Sequence, residues 1–165
     1  MKIKKNVEKA INDQIAMELA SAYTYLSMAA YFDRCAFNGF AHWMRLQRDE
    51  EEQHAMRFYN YLHDRDGKVE LQALDKPPHD FTSPLKVFEL SLESEKKVTA
   101  SIHGLYELAQ KEKDHATVSM LKWFIDEQVE EEKSALEMVD KLKLAGDHPG
   151  ALLILDKEAG QRSGG

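Results

Sequence analysis

The positions of the four prolines constrain this chain more than any other feature of its sequence. Proline occurs only at 77, 78, 84 and 149, which leaves a long proline-free tract on either side of one irregular segment. Because proline breaks the interior of a helix, each tract can hold long helices. Turn-like residues at 34–39 and 111–114 divide the tracts further. The pattern predicts four helices, at about 7–34, 37–65, 84–111 and 114–144.

The segment between the second and third helices predicts how the four helices are connected. Residues 67–83 include a Lys-Pro-Pro run and are expected to be extended. A helix of 28 residues is about 42 Å long and 17 extended residues reach about 56 Å, so this strap can run the whole length of a bundle. The second and third helices can therefore be parallel, as in a four-helix bundle with one long crossover.

A short apolar segment follows the predicted bundle. Gly146 is a stop signal for the fourth helix, and a short C-terminal helix is expected at about 150–160. Its apolar run at 151–155 is expected to need a partner, such as another subunit. Residues 161–165 are expected to form a frayed tail. The whole chain, 1–165, is thus predicted to be one all-α domain with its bundle at about 7–144.

Composition excludes several classes of function. Cys35 is the only cysteine, so an intrachain disulfide and a thiolate-rich metal site are both excluded. With 22 Lys and Arg against 29 Asp and Glu, the net charge of -7 disfavours nucleic-acid binding. The longest uncharged stretch, 19–32, is too short for a membrane span. The basic start runs into polar residues rather than the apolar run of a secretory signal, so we expect a cytoplasmic protein.

Polar residues interrupt the apolar rows of all four predicted helices. Stepping by seven residues stays close to one helix face, and the rows that should face the core contain polar groups near the middle of each helix. These residues are Glu18, Glu51, His54, Glu95, Gln128 and Glu131. Because they lie at similar heights, we expect them to meet at one level of the bundle.

A bound cation is the expected reason for this polar level. Glu51 and His54 are three residues apart and share a helix face, and Gln128 and Glu131 repeat that spacing. No Lys or Arg occupies these rows, and an uncompensated buried carboxylate is unfavourable by several kcal/mol. Carboxylates with one imidazole favour iron or manganese over structural zinc. Taken singly, a buried Glu or His can be structural, but the Glu-x-x-His spacing is typical of di-iron bundles.

The chain resembles the haem-free bacterial and archaeal members of the ferritin family over nearly its whole length. The resemblance depends on Glu18 with Tyr25, Glu95, the run DEEEQH at 49–54 and the run WFIDEQVEEE at 123–132. It implies a ferritin-like four-helix bundle with a long crossover and a short fifth helix. It also implies that Glu18 and His54 bind one iron, Glu51 bridges, and Glu95 and Glu131 bind a second iron. Gln128 resembles a polar neighbour of the second iron, and Tyr25 resembles a tyrosine that hydrogen-bonds at the centre.

Two further features of the resemblance leave alternatives open. Glu50, Glu127 and Glu130, with Glu131 shared, resemble a third iron site, although Glu-rich helix runs are also typical of solvated faces. Trp123 resembles an aromatic residue close to the centre and can equally be a packing anchor. Asp114 and His115 lie in the region that lines three-fold channels in the family, although a polar pair at a helix turn is the ordinary explanation.

The resemblance also implies a function. Bacterioferritins carry a second Glu-x-x-His and a haem-ligating Met, where this chain has Gln128 with Glu131 and Glu52, so no haem is expected. The implied activity is a ferroxidase that oxidises Fe(II) with O2 or H2O2 and stores ferric mineral inside a homo-oligomeric shell of about 24 subunits. Two other functions remain open: a smaller di-iron oxidase or peroxide scavenger without storage, and a helical scaffold that binds no metal.

Overall fold

The computed structural model describes residues 2–164, and within them the chain forms five helices. Their bounds agree with the predicted spans to within two residues, which confirms the all-α fold class. They are α1 (Lys5–Arg34), α2 (Asn38–Asp64), α3 (Pro84–Lys111), α4 (His115–Ala145) and α5 (Pro149–Ala159).

Short polar signals fix where the helices begin and end. Ser83 accepts a hydrogen bond from the Lys86 backbone N–H at 3.2 Å, and Pro84 occupies the first turn of α3. Asp114 does the same for α4 through the Thr117 N–H at 3.1 Å. Gly146 follows α4 with a φ of 56°, a backbone conformation that glycine adopts readily. These caps explain why the predicted bounds were accurate.

The strap between α2 and α3 runs along α1. At its start, the Asn12 side chain donates to the Lys68 carbonyl at 2.9 Å and accepts from the Glu70 N–H at 2.7 Å. Near its end, the Ser27 hydroxyl donates to the Pro78 carbonyl. The strap therefore rises from the beginning of α1 towards its end, and α3 starts beside the end of α1. This path confirms the long crossover and makes α2 and α3 parallel.

The apolar core is divided into two clusters by a polar layer. One cluster contains Phe32, Phe40, Met44, Phe88 and Leu142, and the other contains Ile11, Phe58, Leu62, Ile102 and Phe124. On every long helix, the residues of the two clusters lie on opposite sides of the predicted polar positions. The bundle therefore has two apolar halves with a polar layer in the middle.

Helix α5 packs against the start of α2. Leu152 and Leu155 contact the first apolar cluster, whereas Leu153 and Ile154 are 59% and 70% exposed. The apolar run expected to need another subunit therefore covers its own bundle with one face and leaves the other face exposed. None of the helices within residues 2–164 is long and apolar enough to cross a bilayer.

The tail beyond α5 is held at one residue rather than frayed along its described length. Arg162 donates to Glu50 at 2.9 Å, and its carbonyl hydrogen-bonds with the His42 ring at 2.8 Å. Its guanidinium lies 4.7 Å from the centre of the Trp43 ring. The expectation of a frayed tail over 161–165 does not extend to Arg162, because an ion pair and an aromatic face hold it. Gly165 lies outside the described residues.

Candidate metal centre

The polar layer brings six of the predicted residues together in the middle of the bundle. Helix α1 contributes Glu18, α2 contributes Glu51 and His54, α3 contributes Glu95, and α4 contributes Gln128 and Glu131. None of the six is more than 5% exposed. Each lies about midway along its helix, which is why residues from four helices reach one level.

Three side chains form a compact group that could hold a metal ion. Ligand atoms of Glu18, Glu51 and His54 all lie within 4.8 Å of one another. One oxygen of Glu18, both oxygens of Glu51 and Nδ1 of His54 are buried and have no hydrogen-bond partner among residues 2–164. The His54 Nδ1 lies 3.6 Å from a Glu51 oxygen, which is too far for a hydrogen bond. These buried lone pairs are the hard oxygen and imidazole donors that a divalent iron ion takes.

A second group shares the same imidazole. His54, Glu127 and Glu131 also offer ligand atoms within 4.8 Å of one another. Glu127 is only partly buried and lines a surface pocket of about 540 Å³ together with Glu50 and His54. His54 therefore connects the buried layer to an opening between α2 and α4.

Hydrogen bonds orient the remaining carboxylates. The Tyr25 hydroxyl donates to Glu95 and lies 2.9 Å from the Ser91 hydroxyl. The Gln128 amide nitrogen is 3.3 Å from the other Glu95 oxygen. Tyr25 and Gln128 thus hold the α3 carboxylate from two sides.

Two glutamines contribute to the site although sequence reasoning gave them no role. Gln14 donates to Glu18 at 2.8 Å, and Gln47 donates to Glu131 at 2.8 Å. Both amides are buried. Gln47 stands in the same seven-residue row as His54, so the row pattern contained a signal for it. Gln14 could be found only as the residue one helical turn before Glu18.

Burial raises the pKa of the carboxyl groups in this layer. Desolvation, followed by the charges of Glu95 and Glu18, holds the pKa of Glu51 well above its ordinary value. Desolvation raises the pKa of Glu95 to about 7, against hydrogen bonds from Tyr25 and Gln128 that lower it. Desolvation and the charge of Glu95 raise the pKa of Glu131 to about 8. The layer is therefore an unfavourable place for several negative charges at once.

One positive charge approaches the layer from outside the predicted rows. The sequence places no Lys or Arg in those rows, but the tail brings Arg162 close enough to lower the pKa of Glu131 slightly. The effect is smaller than that of burial and of Glu95, so the pKa still rises. Arg162 was missed because its position depends on how α5 docks.

Of the residues that resemble a third iron site, only Glu127 and Glu131 lie in a compact group of possible ligands within the described part of the chain. Glu127 lies within ligand distance of Glu131 and His54. Glu50 is paired with Arg162, and Glu130 is exposed. Among residues 2–164, neither Glu50 nor Glu130 belongs to a compact group of three possible ligands.

Trp123 contacts the centre and also packs against its neighbours. Its ring lies 5.6 Å from the His54 ring, nearly perpendicular to it, and 4.9 Å from the Phe124 ring. The Arg57 guanidinium lies over the Trp123 ring, 3.9 Å from its centre. Trp123 therefore lies close to the centre and also acts as a packing anchor, as the two alternatives from the sequence suggested.

Asp114 has a structural partner at the end of the bundle. Its carboxylate accepts two hydrogen bonds from Arg65, at 3.0 and 3.1 Å, as well as the Thr117 N–H that begins α4. Burial alone would raise the pKa of Asp114, but these hydrogen bonds lower it below its ordinary value. The helix-turn explanation accounts for Asp114, while His115 beside it is exposed.

The crossover bundle and its central carboxylate layer define a ferritin-like protein. The chain belongs to the ferritin family, because the family model described as the ferritin-like domain matches residues 8–145. It is 41% identical over 161 residues to the bacterial non-heme ferritin of Staphylococcus aureus. The aligned residues cover 98% of this chain and 97% of that protein. The corresponding protein of Staphylococcus haemolyticus is 39% identical over the same length.

Solved structures agree with this family. An open-pore ferritin from the hyperthermophilic archaeon Archaeoglobus fulgidus is 48% identical to this chain, and the two structures match with a TM-score of 0.97. The match covers 98% of this chain and all of the archaeal chain. An engineered closed form of the same archaeal ferritin gives the same identity and TM-score. The family resemblance inferred from the sequence is therefore confirmed.

Proposed function

We propose that this chain is a ferroxidase and a subunit of an iron-storage shell. Fe(II) is its substrate, and ferric oxyhydroxide is the stored product, held inside a hollow assembly of about 24 copies. The observation that carries the proposal is the set of buried lone pairs on Glu18, Glu51 and His54, which no hydrogen-bond donor satisfies among residues 2–164. Buried carboxylates of this kind are stabilised by bound cations.

The proposed ligand assignment follows the two groups of side chains. Glu18 and His54 bind one iron, Glu51 bridges, and Glu95 and Glu131 bind the second iron, with Gln128 as its polar neighbour. The short separations within the first group support its half of the assignment. The second iron has no imidazole ligand, because Gln128 and Glu131 stand where bacterioferritins carry a second Glu-x-x-His, and the looser binding suits iron that passes through to storage. No haem is part of this proposal.

The chemistry requires two electrons and two protons. Each of two Fe(II) ions gives up one electron, and O2 takes up both electrons and two protons to form H2O2. Alternatively, H2O2 itself takes two electrons and two protons to form two molecules of water. Carboxylate ligands favour the reaction because they stabilise Fe(III) more than Fe(II). Tyr25 keeps Glu95 in position through its hydroxyl group.

Oxidised iron must then leave for the cavity. Glu127 is shared between the surface pocket and the group with His54 and Glu131, so it is the first residue of the proposed way out. Glu50 and Glu130 extend this outer carboxylate set, which is the proposed third iron site. The cytoplasm is the proposed compartment, where Fe(II) and the oxidant would meet.

Replacing Glu51 and His54 together with Ala tests the centre. We expect the rate of Fe(II) oxidation, followed by stopped-flow absorbance, to fall at least about a hundredfold, because the bridge and the imidazole are lost together. The matched control replaces Glu52 and His63, two exposed residues of the same helix, with Ala. Oxidation at the wild-type rate in the Glu51/His54 variant would refute the proposal.

A further inference from the structure

The C-terminal tail places a positive charge among the outer carboxylates of the proposed iron path. Arg162 lies beyond α5 and returns to α2, where its guanidinium donates to Glu50 at 2.9 Å. The Trp43 ring supports the guanidinium, and the His42 ring fixes the backbone at the same residue. The two paired side chains are 23% and 18% exposed, so the ion pair is partly shielded from water.

This position is set by close packing of α5 on α2. A side-chain carbon at Gly39 would lie 1.6 Å from the Asp156 carbonyl, so only glycine allows α5 to approach this closely. Ala159 is buried in the same contact. The chain therefore leaves α5 close to α2, and Arg162 follows three residues later. The Arg162 contact is a consequence of how the fifth helix docks.

The ion pair of Arg162 and Glu50 lies beside a group of possible metal ligands. Glu131 shares a possible ligand group with Glu127 and His54, and Glu50 lines the same surface pocket as Glu127. The guanidinium is thus an organic cation beside carboxylates that could otherwise hold a metal ion.

The ion pair between Arg162 and Glu50 has only one hydrogen bond, so a competing cation can break it. An arginine can bind a carboxylate through two parallel hydrogen bonds, but here one Nη atom bonds to Glu50 while the other is buried without a partner among residues 2–164. A partly satisfied guanidinium holds its carboxylate less tightly than a bidentate one. A divalent cation offers Glu50 twice the charge and can therefore compete with it.

We propose that Arg162 is a built-in counter-ion that competes with divalent cations for the outer carboxylates Glu50, Glu127 and Glu131. A cation entering this set displaces the guanidinium from Glu50, and the ion pair forms again when the cation leaves. The tail thereby weakens cation binding at the outer set and promotes onward passage. This role rests on the proposed function, in which iron leaves the centre through these residues.

Zn(II) binding to the metal-free full-length protein tests the competition without any redox step. Arg162→Gln removes the charge and keeps a hydrogen-bonding side chain, so we expect the weakest class of bound Zn(II) to bind about tenfold more tightly by calorimetry. Arg162→Lys keeps the charge and should remain close to wild type. The matched control is Lys157→Gln, which removes one exposed positive charge from α5 and should change nothing.

A double-mutant cycle identifies the partner of Arg162. In a Glu50→Gln background, Arg162→Gln should no longer tighten Zn(II) binding, because the competing pair is already absent. A gain that persists in that background, or unchanged or weaker binding in Arg162→Gln alone, would overturn the proposal. The tighter Zn(II) class should stay unchanged in Arg162→Gln and be lost in the Glu51/His54 variant. Its survival in the latter would refute the proposed centre and leave the Arg162 result interpretable.

Tryptophan fluorescence reports the displacement directly. The chain has two tryptophans, so a Trp123→Phe background leaves Trp43, which lies beneath Arg162, as the only indole. Its emission should change as the weak class of Zn(II) fills, and Arg162→Gln should abolish that change. Emission that stays constant while the weak class fills would mean that the guanidinium does not move, which contradicts displacement. Unchanged helical circular dichroism in each variant verifies that the fold is intact.

Discussion

Glu51 is the residue at which the conflict between folding and function is sharpest. It is 1% exposed, and neither oxygen has a hydrogen-bond partner among residues 2–164. The negative charges of Glu95 and Glu18 act on it in addition to desolvation. An apolar or neutral residue would fold more easily at this position. Under the proposed function, a carboxylate is present there because it binds iron rather than because it stabilises the metal-free chain.

Neutralising Glu51 should therefore stabilise the metal-free protein. We expect Glu51→Gln to raise the free energy of unfolding by about 1–3 kcal/mol at pH 8, because it removes a carboxyl group whose ionisation is opposed by burial, at nearly constant volume. Urea denaturation followed by circular dichroism measures the change. Glu52→Gln, on the exposed side of the same turn, should stay within about 0.5 kcal/mol of wild type. A loss of stability in Glu51→Gln would contradict this account.

The same carboxyl groups predict how stability depends on pH. Glu95 and Glu131 have folded pKa values of about 7 and about 8, against an ordinary value of 4.5. Between pH 4.5 and 8 the folded chain retains protons that the unfolded chain has released, so stability must fall as the pH rises through this window. Each pKa unit is worth about 1.4 kcal/mol, so these two groups together would lower the free energy of unfolding by up to roughly 8 kcal/mol across this window.

Thermal unfolding of the metal-free protein across this pH range measures the effect. Added Zn(II) should remove most of the fall, since a cation that binds only the folded state stabilises it and favours the ionised carboxylates. A Tm that rises steadily between pH 5 and 8 without metal would be inconsistent with raised pKa values at the centre.

Most of the central residues could be predicted from the sequence, but their orientation could not. Glu18, Glu51, His54 and Glu95 interrupt apolar rows, and a buried polar residue is visible in such a pattern. Gln14 and Gln47 orient carboxylates, yet a glutamine that serves another side chain looks like any polar residue. Arg162 is more remote still, because nothing in the local sequence of the tail indicates that it folds back.

At the scale of elements, the contact between α2 and α5 depends on Gly39. The second helix begins at Asn38, so Gly39 lies in its first turn, and the Asp156 carbonyl occupies the space that a side chain would fill. The Asp156 side chain also accepts the Phe40 N–H at 2.8 Å. The close approach of α5 to α2 and the capping of α2 by Asp156 therefore both depend on Gly39.

Gly39→Ala should detach α5 from the bundle. The added carbon cannot fit 1.6 Å from a backbone oxygen, so we expect a loss of about 2 kcal/mol or more and greater protease sensitivity of the C-terminal segment. Gly104→Ala is the matched control, because that glycine lies within α3 and has no neighbouring atoms within 4 Å of an added carbon. It should stabilise the protein by about 0.5–1 kcal/mol. Equal effects of the two substitutions would show that the close contact is unimportant.

At the scale of the whole molecule, exposed apolar side chains indicate surfaces for other copies of the chain. Leu144, Leu153 and Ile154 are exposed near the end of α4 and on α5. Tyr23 on α1 and Leu71 on the strap are exposed as well. Surfaces of this kind are commonly covered in oligomers.

Size-exclusion chromatography with light scattering measures the assembly. About 24 chains of 18.9 kDa would form a particle of roughly 450 kDa, which we expect for the storage shell. A stable dimer under all salt conditions would favour the alternative of a di-iron enzyme without storage. Iron loading followed by electron microscopy would then show whether mineral accumulates inside the particle.

The overall fold could be predicted because its determinants are local or follow from simple lengths. Proline positions, the Ser83 cap and Gly146 fix the helices, and the length of the strap allows the crossover. How α5 meets the bundle could not be predicted, since the importance of Gly39 appears only when the Asp156 backbone approaches it. Long-range contacts between small residues leave no periodic pattern in a sequence.

The cap at the start of α2 has a consequence for synthesis. The Phe40 N–H is satisfied by a carboxylate that lies 116 residues later in the chain. The ribosome must therefore synthesise Asp156 before its carboxylate can accept this N–H in the first turn of α2. A chain terminated before residue 156 lacks this cap, so the start of α2 depends on a residue that is synthesised much later.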